Sequence, residues 1–125
     1  MEKKDVLKEK SFEFAVRIVK LVNYLQEEKK EFILSKQLLR SGTAIGALVS
    51  EAKFGQSNAD FLSKMYIALK EANETLYWLK LLYVTEYISF SQFESMECDG
   101  NEILAMLIST TKTMKNKLKK PGTGN

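Results

Sequence analysis

Phe61–Tyr83 reads FLSKMYIALKEANETLYWLKLLY, 23 residues without Gly or Pro and rich in strong helix formers. Its apolar residues recur at helical spacing: Phe61, Met65, Ala68, Leu69, Ala72, Leu76, Leu79 and Tyr83. A stripe that wide suits a helix flanked by more than one neighbour. A second set, Ile67, Trp78 and Leu81, lies about a third of a turn away, with Glu71 and Glu74 between its members. Two apolar faces on one helix imply a bundle and a further subunit, so Ile67, Trp78 and Leu81 are the candidate oligomer interface.

Three more amphipathic segments surround this one. Ser11 is placed to cap FEFAVRIVKLVNYLQEEKK, whose inward stripe is Phe14, Ile18, Leu21, Val22 and Leu25. Phe12, Val16 and Val19 lie on another side and suit a second neighbour. The run EEKKE, Glu27–Glu31, reads as a solvated connection. The second helix is expected from near Ser35, over SKQLLRSGTAIGALVSEAKFG, with Gly55 ending it. Ser57 or Asn58 caps the helix containing Phe61–Tyr83. Ser89 with Gln92, or Ser91 with Glu94, makes a capping box for the last helix. That helix is expected to turn Phe93, Met96, Ile103, Leu104, Leu107, Ile108, Thr111, Met114 and Leu118 inward. Short connections between four such segments give an all-α fold, an antiparallel up-down-up-down four-helix bundle. One domain over residues 1–125 is expected, with frayed ends at about 1–9 and 119–125.

The second helix has an unusual middle, in which Ser41, Gly42, Thr43, Ala44, Gly46 and Ala47 are all small. Two interior glycines cost roughly 1 kcal/mol each relative to Ala. Gly42 and Gly46 stand one turn apart, and close approach of another helix backbone is the expected offset. A phosphate-cradling loop is the alternative, but no Gly-Lys-Ser/Thr follows and no strand precedes.

Chemistry is sparsely provided. The chain has no His, the usual general base and metal ligand near neutral pH. Its one Cys, Cys98, cannot form an internal disulfide, which suits a reducing cytoplasm, and reads as a small half-buried residue. No catalytic residue, metal site or cofactor is expected. No apolar run approaches the ~20 residues of a membrane helix, and MEKKDVLKEK lacks a signal peptide's apolar segment. Glu51, Glu71 and Glu74 are the carboxylates to weigh. Glu71 and Glu74 share a helix flank, and paired carboxylates do acid/base work or hold a divalent cation. Their structural alternative is to balance Arg40, expected to be buried among small and apolar residues.

The +3 net charge is uneven. All 16 acids fall at or before Glu102, leaving residues 1–102 at −2. Lys112, Lys115, Lys117, Lys119 and Lys120 follow with no acid. Lys112, Lys115, Lys119 and Lys120 are the candidate contacts to the phosphates of RNA or DNA. The plainer role for such lysines is to oppose the helix macrodipole and maintain solubility. Trp78 with Tyr66, Tyr77, Tyr83 and Tyr87 could stack on bases, or serve core and interface.

Ser35–Ala52 (SKQLLRSGTAIGALVSEA) and Ala59–Leu82 (ADFLSKMYIALKEANETLYWLKLL) resemble the small bacterial "four helix bundle protein" family. Its members include proteins encoded in intervening sequences of large-subunit ribosomal RNA genes. The likeness spans roughly residues 10–118. It implies a four-helix protomer, a ring-shaped homopentamer, and distant kinship with the accessory protein of diversity-generating retroelements, a basic pentameric barrel that works with nucleic acid. The family's Arg, Gly and Glu positions fall on Arg40, Gly42, Gly46, Glu51, Glu71 and Glu74, none of them an established catalytic residue. The expected function is therefore a non-enzymatic oligomer that binds RNA or DNA weakly, or a protein-interaction scaffold.

Overall fold

The computed structural model describes residues 5–119, and those residues form four α-helices with no strand among them. They are α1 (Val6–Glu27), α2 (Leu34–Ala52), α3 (Asn58–Val84) and α4 (Phe90–Lys119). Local chemistry sets most of the ends. The Ser57 hydroxyl accepts from the Asp60 N–H at 3.1 Å and starts α3. Ser89 and Gln92 form a reciprocal capping box at α4: the Gln92 N–H reaches the Ser89 hydroxyl at 3.1 Å, and the Gln92 amide oxygen accepts from the Ser89 N–H at 2.8 Å. At the end of α3, Glu86 takes the left-handed conformation at φ 69°. The N–H groups of Glu86 and Tyr87 then close back on the carbonyls of Tyr83 and Leu82, at 3.0 and 2.9 Å.

Each helix runs antiparallel to the next. Gly42 faces Ile18 and Gly46 faces Ser11, pairing α2 with α1. Arg40 meets Glu71, and Glu51 meets Lys64, pairing α2 with α3. Gly100 faces Leu76, and Phe93 stacks on Tyr83, pairing α4 with α3. Lys10 meets Glu102, and Arg17 meets Asp99, closing the square between α1 and α4. The backbones of the diagonal pairs stay farther apart, with no Cα atoms within 8 Å of each other. One continuous core fills the middle, with Phe14, Ile18, Leu25, Leu38, Ile45, Met65, Leu79, Leu82, Ile103 and Leu107 buried together.

Four local expectations are corrected. α1 begins at Val6, not after Ser11, because the Asp5 carboxylate accepts from the Lys8 N–H at 3.1 Å and caps it. Residues 6–9 are therefore helical, and Ser11 is buried under α2. Glu31 is not part of a solvated run. It is buried and accepts from the backbone N–H groups of Ile33, Leu34 and Ser35 at 3.2, 3.0 and 2.7 Å. Those are orphan donors at the start of α2, which has no other side-chain cap. Ile108 and Leu118 are exposed, not inward. Cys98 is exposed because Met96 and Gly100 take the inward positions on either side of it.

The α1–α2 seam is built on two glycines of α2. A methyl group at Gly42 would stand 2.7–2.9 Å from three carbons of Ile18, itself fully buried. At Gly46 the nearest atom is the Ser11 carbonyl oxygen, 3.2 Å away. A methyl at Gly100 crowds the outer end of Leu76, at 2.8 Å from Cδ2, and otherwise stands in ordinary contact with Leu76 Cγ and Phe14 Cζ, each at 3.6 Å. Gly42→Ala is expected to lower stability by about 1–3 kcal/mol through overpacking, despite its helix-propensity gain. Gly100→Ala is expected to fall within about 1 kcal/mol of wild type, since Leu76 can turn away. Urea denaturation of both variants measures the difference, and equal effects would contradict it.

Candidate functional site

α4 outruns its partner. The pairs Lys10–Glu102 and Arg17–Asp99 put the first turn of α1 near the level of Met106. Beyond that level α4 continues to Lys119, a further stretch of about 20 Å at 1.5 Å per residue. Its inward residues there, Leu107 and Thr111, are buried, while Lys112, Lys115, Lys117 and Lys119 are exposed. Lys112, Lys115 and Lys119 are spaced by three and four residues and share one face, with Ile108 a turn earlier on that face. Lys117 points to a different side. None of the four forms an ion pair among the described residues. Lys120 lies outside the described residues.

A second cluster crosses α2 and α3. The Arg40 Nη1 donates to both Glu71 carboxylate oxygens at 3.2 and 3.3 Å, and its Nη2 donates to Glu74. The Trp78 indole Nε1–H also donates to Glu74, at 2.9 Å. Trp78, first, and then Arg40 hold the Glu74 carboxyl below its ordinary range. The expectation of a buried Arg40 is corrected: its side chain is 51% exposed, on the outer flank of the α2–α3 seam. No stranded buried charge is at stake there, and the cluster behaves as a partly solvated network. Glu51 stands apart from it, paired with Lys64 at 3.2 Å. The three carboxylates are thus not gathered into one site. No group of three or more His, Cys, Asp or Glu is placed to hold a metal ion among the described residues.

The structure separates the aromatic residues. Tyr83 stacks on Phe93 with ring centroids 5.0 Å apart. Trp78 and Tyr87 are each half-buried against the core. Tyr66 and Tyr77 are exposed on α3. Among the interface candidates, Ile67 is exposed, while Trp78 and Leu81 are half-buried. Further exposed apolar residues lie on α1. Phe12, Val16 and Val19 are exposed along α1, and an open groove of about 1010 Å³ runs between α1 and α2, lined by Phe12, Ala15, Thr43, Gly46, Ala47 and Ser50. No helix among the described residues is long and apolar enough to cross a membrane.

The Glu74 network carries a pH signature. A carboxyl held lower in the folded chain stabilises it above the unfolded carboxylate range, about pH 4.3, and loses that contribution as pH falls through the folded value. The stability gap between wild type and Glu74→Gln is expected to be largest at neutral pH and to close below about pH 4.3. Arg40→Met is expected to cost about 1 kcal/mol or less at pH 7, given its exposure. Urea titrations across pH measure both. A gap independent of pH would contradict the first expectation, and a loss of several kcal/mol the second.

Comparison with known proteins places this arrangement. The protein resembles, at a TM-score of 0.84 and 59% identity, a crystal structure solved at 1.70 Å of a protein of unknown function from the S23 ribosomal protein family of Bacteroides thetaiotaomicron VPI-5482. That similarity covers 85% of this chain and 98% of the other. No functionally curated protein matches. Residues 3–109 match the profile described as 23S rRNA-intervening sequence protein, and the chain belongs to that family.

Proposed function

We propose that this protein is a non-catalytic, self-associating helical bundle that binds RNA or DNA weakly through backbone phosphates at the end of α4. One observation carries the reading: Lys112, Lys115 and Lys119 line one exposed face, unpaired among the described residues, in a stretch without any acid. Lysines bind phosphate as mobile point charges and release condensed counterions as they do so. Three such contacts per protomer make a modest site, and self-association would multiply it by linking sites on one body. The apolar surface of Phe12, Val16 and Val19, with Ile67 on α3, is available for that association. The family's name, which refers to 23S rRNA, agrees with an RNA setting.

A second reading, a protein-interaction scaffold without a nucleic-acid role, draws on the α1–α2 groove beside Phe12. Fluorescence anisotropy with labelled RNA across a salt series separates the two. Binding at low salt is expected to weaken steeply with salt. Replacing Lys112, Lys115 and Lys119 with Gln is expected to reduce the log–log salt slope by about 2 for a single strand. An absence of binding at low salt, or a slope unchanged by the replacements, would contradict the phosphate reading. Light scattering with and without RNA reports the mass of the assembly.

A further inference from the structure

The outer face of α3 adds something that phosphate binding leaves unused. Tyr66 and Tyr77 are 39% and 60% exposed. With Lys70 they occupy positions i, i+4 and i+11, one stripe on the outside of the helix. Inside the same helix, Ala68, Ala72 and Leu79 are buried, so this stripe is the one turned away from the core. Large exposed rings need an explanation when their helix already buries a wide apolar face. Tyr77 is held edge-to-face against Trp78, with centroids 5.1 Å apart and planes at 75°. That contact fixes the ring's orientation without covering it.

This stripe borders the lysine ladder. Leu76 meets Gly100 and Tyr83 stacks on Phe93, which fixes the register between α3 and α4. The same register puts Tyr66 level with Thr110, between Ile108 and Lys112 on the neighbouring helix. Neighbouring helix axes lie about 8–10 Å apart, so a polyanion lying on Lys112 and Lys115 passes beside Tyr66 and Lys70. Tyr66 and Tyr77 are about 16 Å apart along the axis. Neither Lys70 nor the α4 lysines form an ion pair among the described residues. The same register sets Tyr77 level with Asp99, two residues from Glu97, so Tyr66 and Lys70 are the groups nearest the α4 lysines and Tyr77 lies further along the stripe.

We infer that the α3–α4 face binds single-stranded RNA in preference to a duplex, with Tyr66 and Tyr77 stacking on unpaired bases while Lys70, Lys112, Lys115 and Lys119 hold the phosphates. Duplex bases are already stacked and present no free face to a tyrosine, whereas every unpaired base does. The inference rests on the phosphate reading above and adds the conformation of the strand.

The test uses the full chain, a labelled 12-nucleotide oligouridine and a 12-base-pair RNA duplex, measured by anisotropy at low salt. Wild type is expected to bind the single strand more tightly than the duplex. The double variant Tyr66→Ala/Tyr77→Ala is expected to weaken single-strand binding at least fivefold and leave duplex binding within twofold. Tyr66→Phe/Tyr77→Phe should restore the preference, since stacking needs the ring and not the hydroxyl. Quenching of tyrosine fluorescence by oligouridine should disappear in the alanine variant. Equal binding of both RNAs, unaffected by the tyrosines but weakened by the lysine replacements, overturns the stacking inference and leaves the phosphate reading standing. Failure of both RNAs to bind overturns both.

Discussion

The close approach of α1 and α2 is the constraint from which the rest of the architecture follows. Gly42 lets the Ile18 side chain sit against the α2 backbone, and Gly46 admits the backbone of α1 at Ser11. Two helices this near leave no room for a slip in register, because moving α2 by one residue would set a side chain where only a glycine fits. Once the seam is fixed, Leu38, Ile45 and Val49 face inward together, and α3 and α4 complete the square against them. Dispersion attraction between the closely packed atoms of the seam offsets the glycines' poor helix propensity.

Polar groups at the edges of this core are accounted for as strictly as the apolar ones. Ser41 and Thr75 bring their hydroxyls within 3.0 Å across the α2–α3 contact, each also close to a carbonyl of its own helix. Glu31 occupies the α1–α2 corner and satisfies three backbone donors there. No buried side-chain nitrogen or oxygen among the described residues lacks a partner. Those buried polar side chains are hydrogen-bonded as the interior of a packed core requires.

What the sequence disclosed, and what it hid, divides along physical lines. Helical periodicity and the Gly42–Gly46 spacing are one-dimensional signals, so the four helices, most of their inward residues and the glycine pair could be read directly. The Ser57 cap and the Ser89–Gln92 box were legible for the same reason, since each joins residues close in sequence. Glu31 was not, because its role depends on how the chain turns between α1 and α2, and nothing in EEKKE marks which acid faces inward. Arg40 looked buried from its small neighbours, yet those neighbours lie on other faces of α2. Ile108 fits the inward pattern of α4 but shares the outer face of Lys112, Lys115 and Lys119, and Leu118 lies beyond the level at which α1 starts. Helix length relative to its neighbours is a tertiary property, and it also sets the lysine-bearing end apart.

A glycine-built seam and a helix end that α1 leaves uncovered, flanked there by the start of α3, are two consequences of a single packing arrangement. Native-state amide hydrogen exchange tests that arrangement most directly, since it reports the opening free energy of each segment. Amides of Ile18–Val22 on α1 and Ser41–Ile45 on α2 are expected to exchange last, at the rate of global unfolding, with those of α4 beyond Thr111 exchanging through local fraying. Exchange of the α1–α2 seam ahead of the end of α4 would contradict the account.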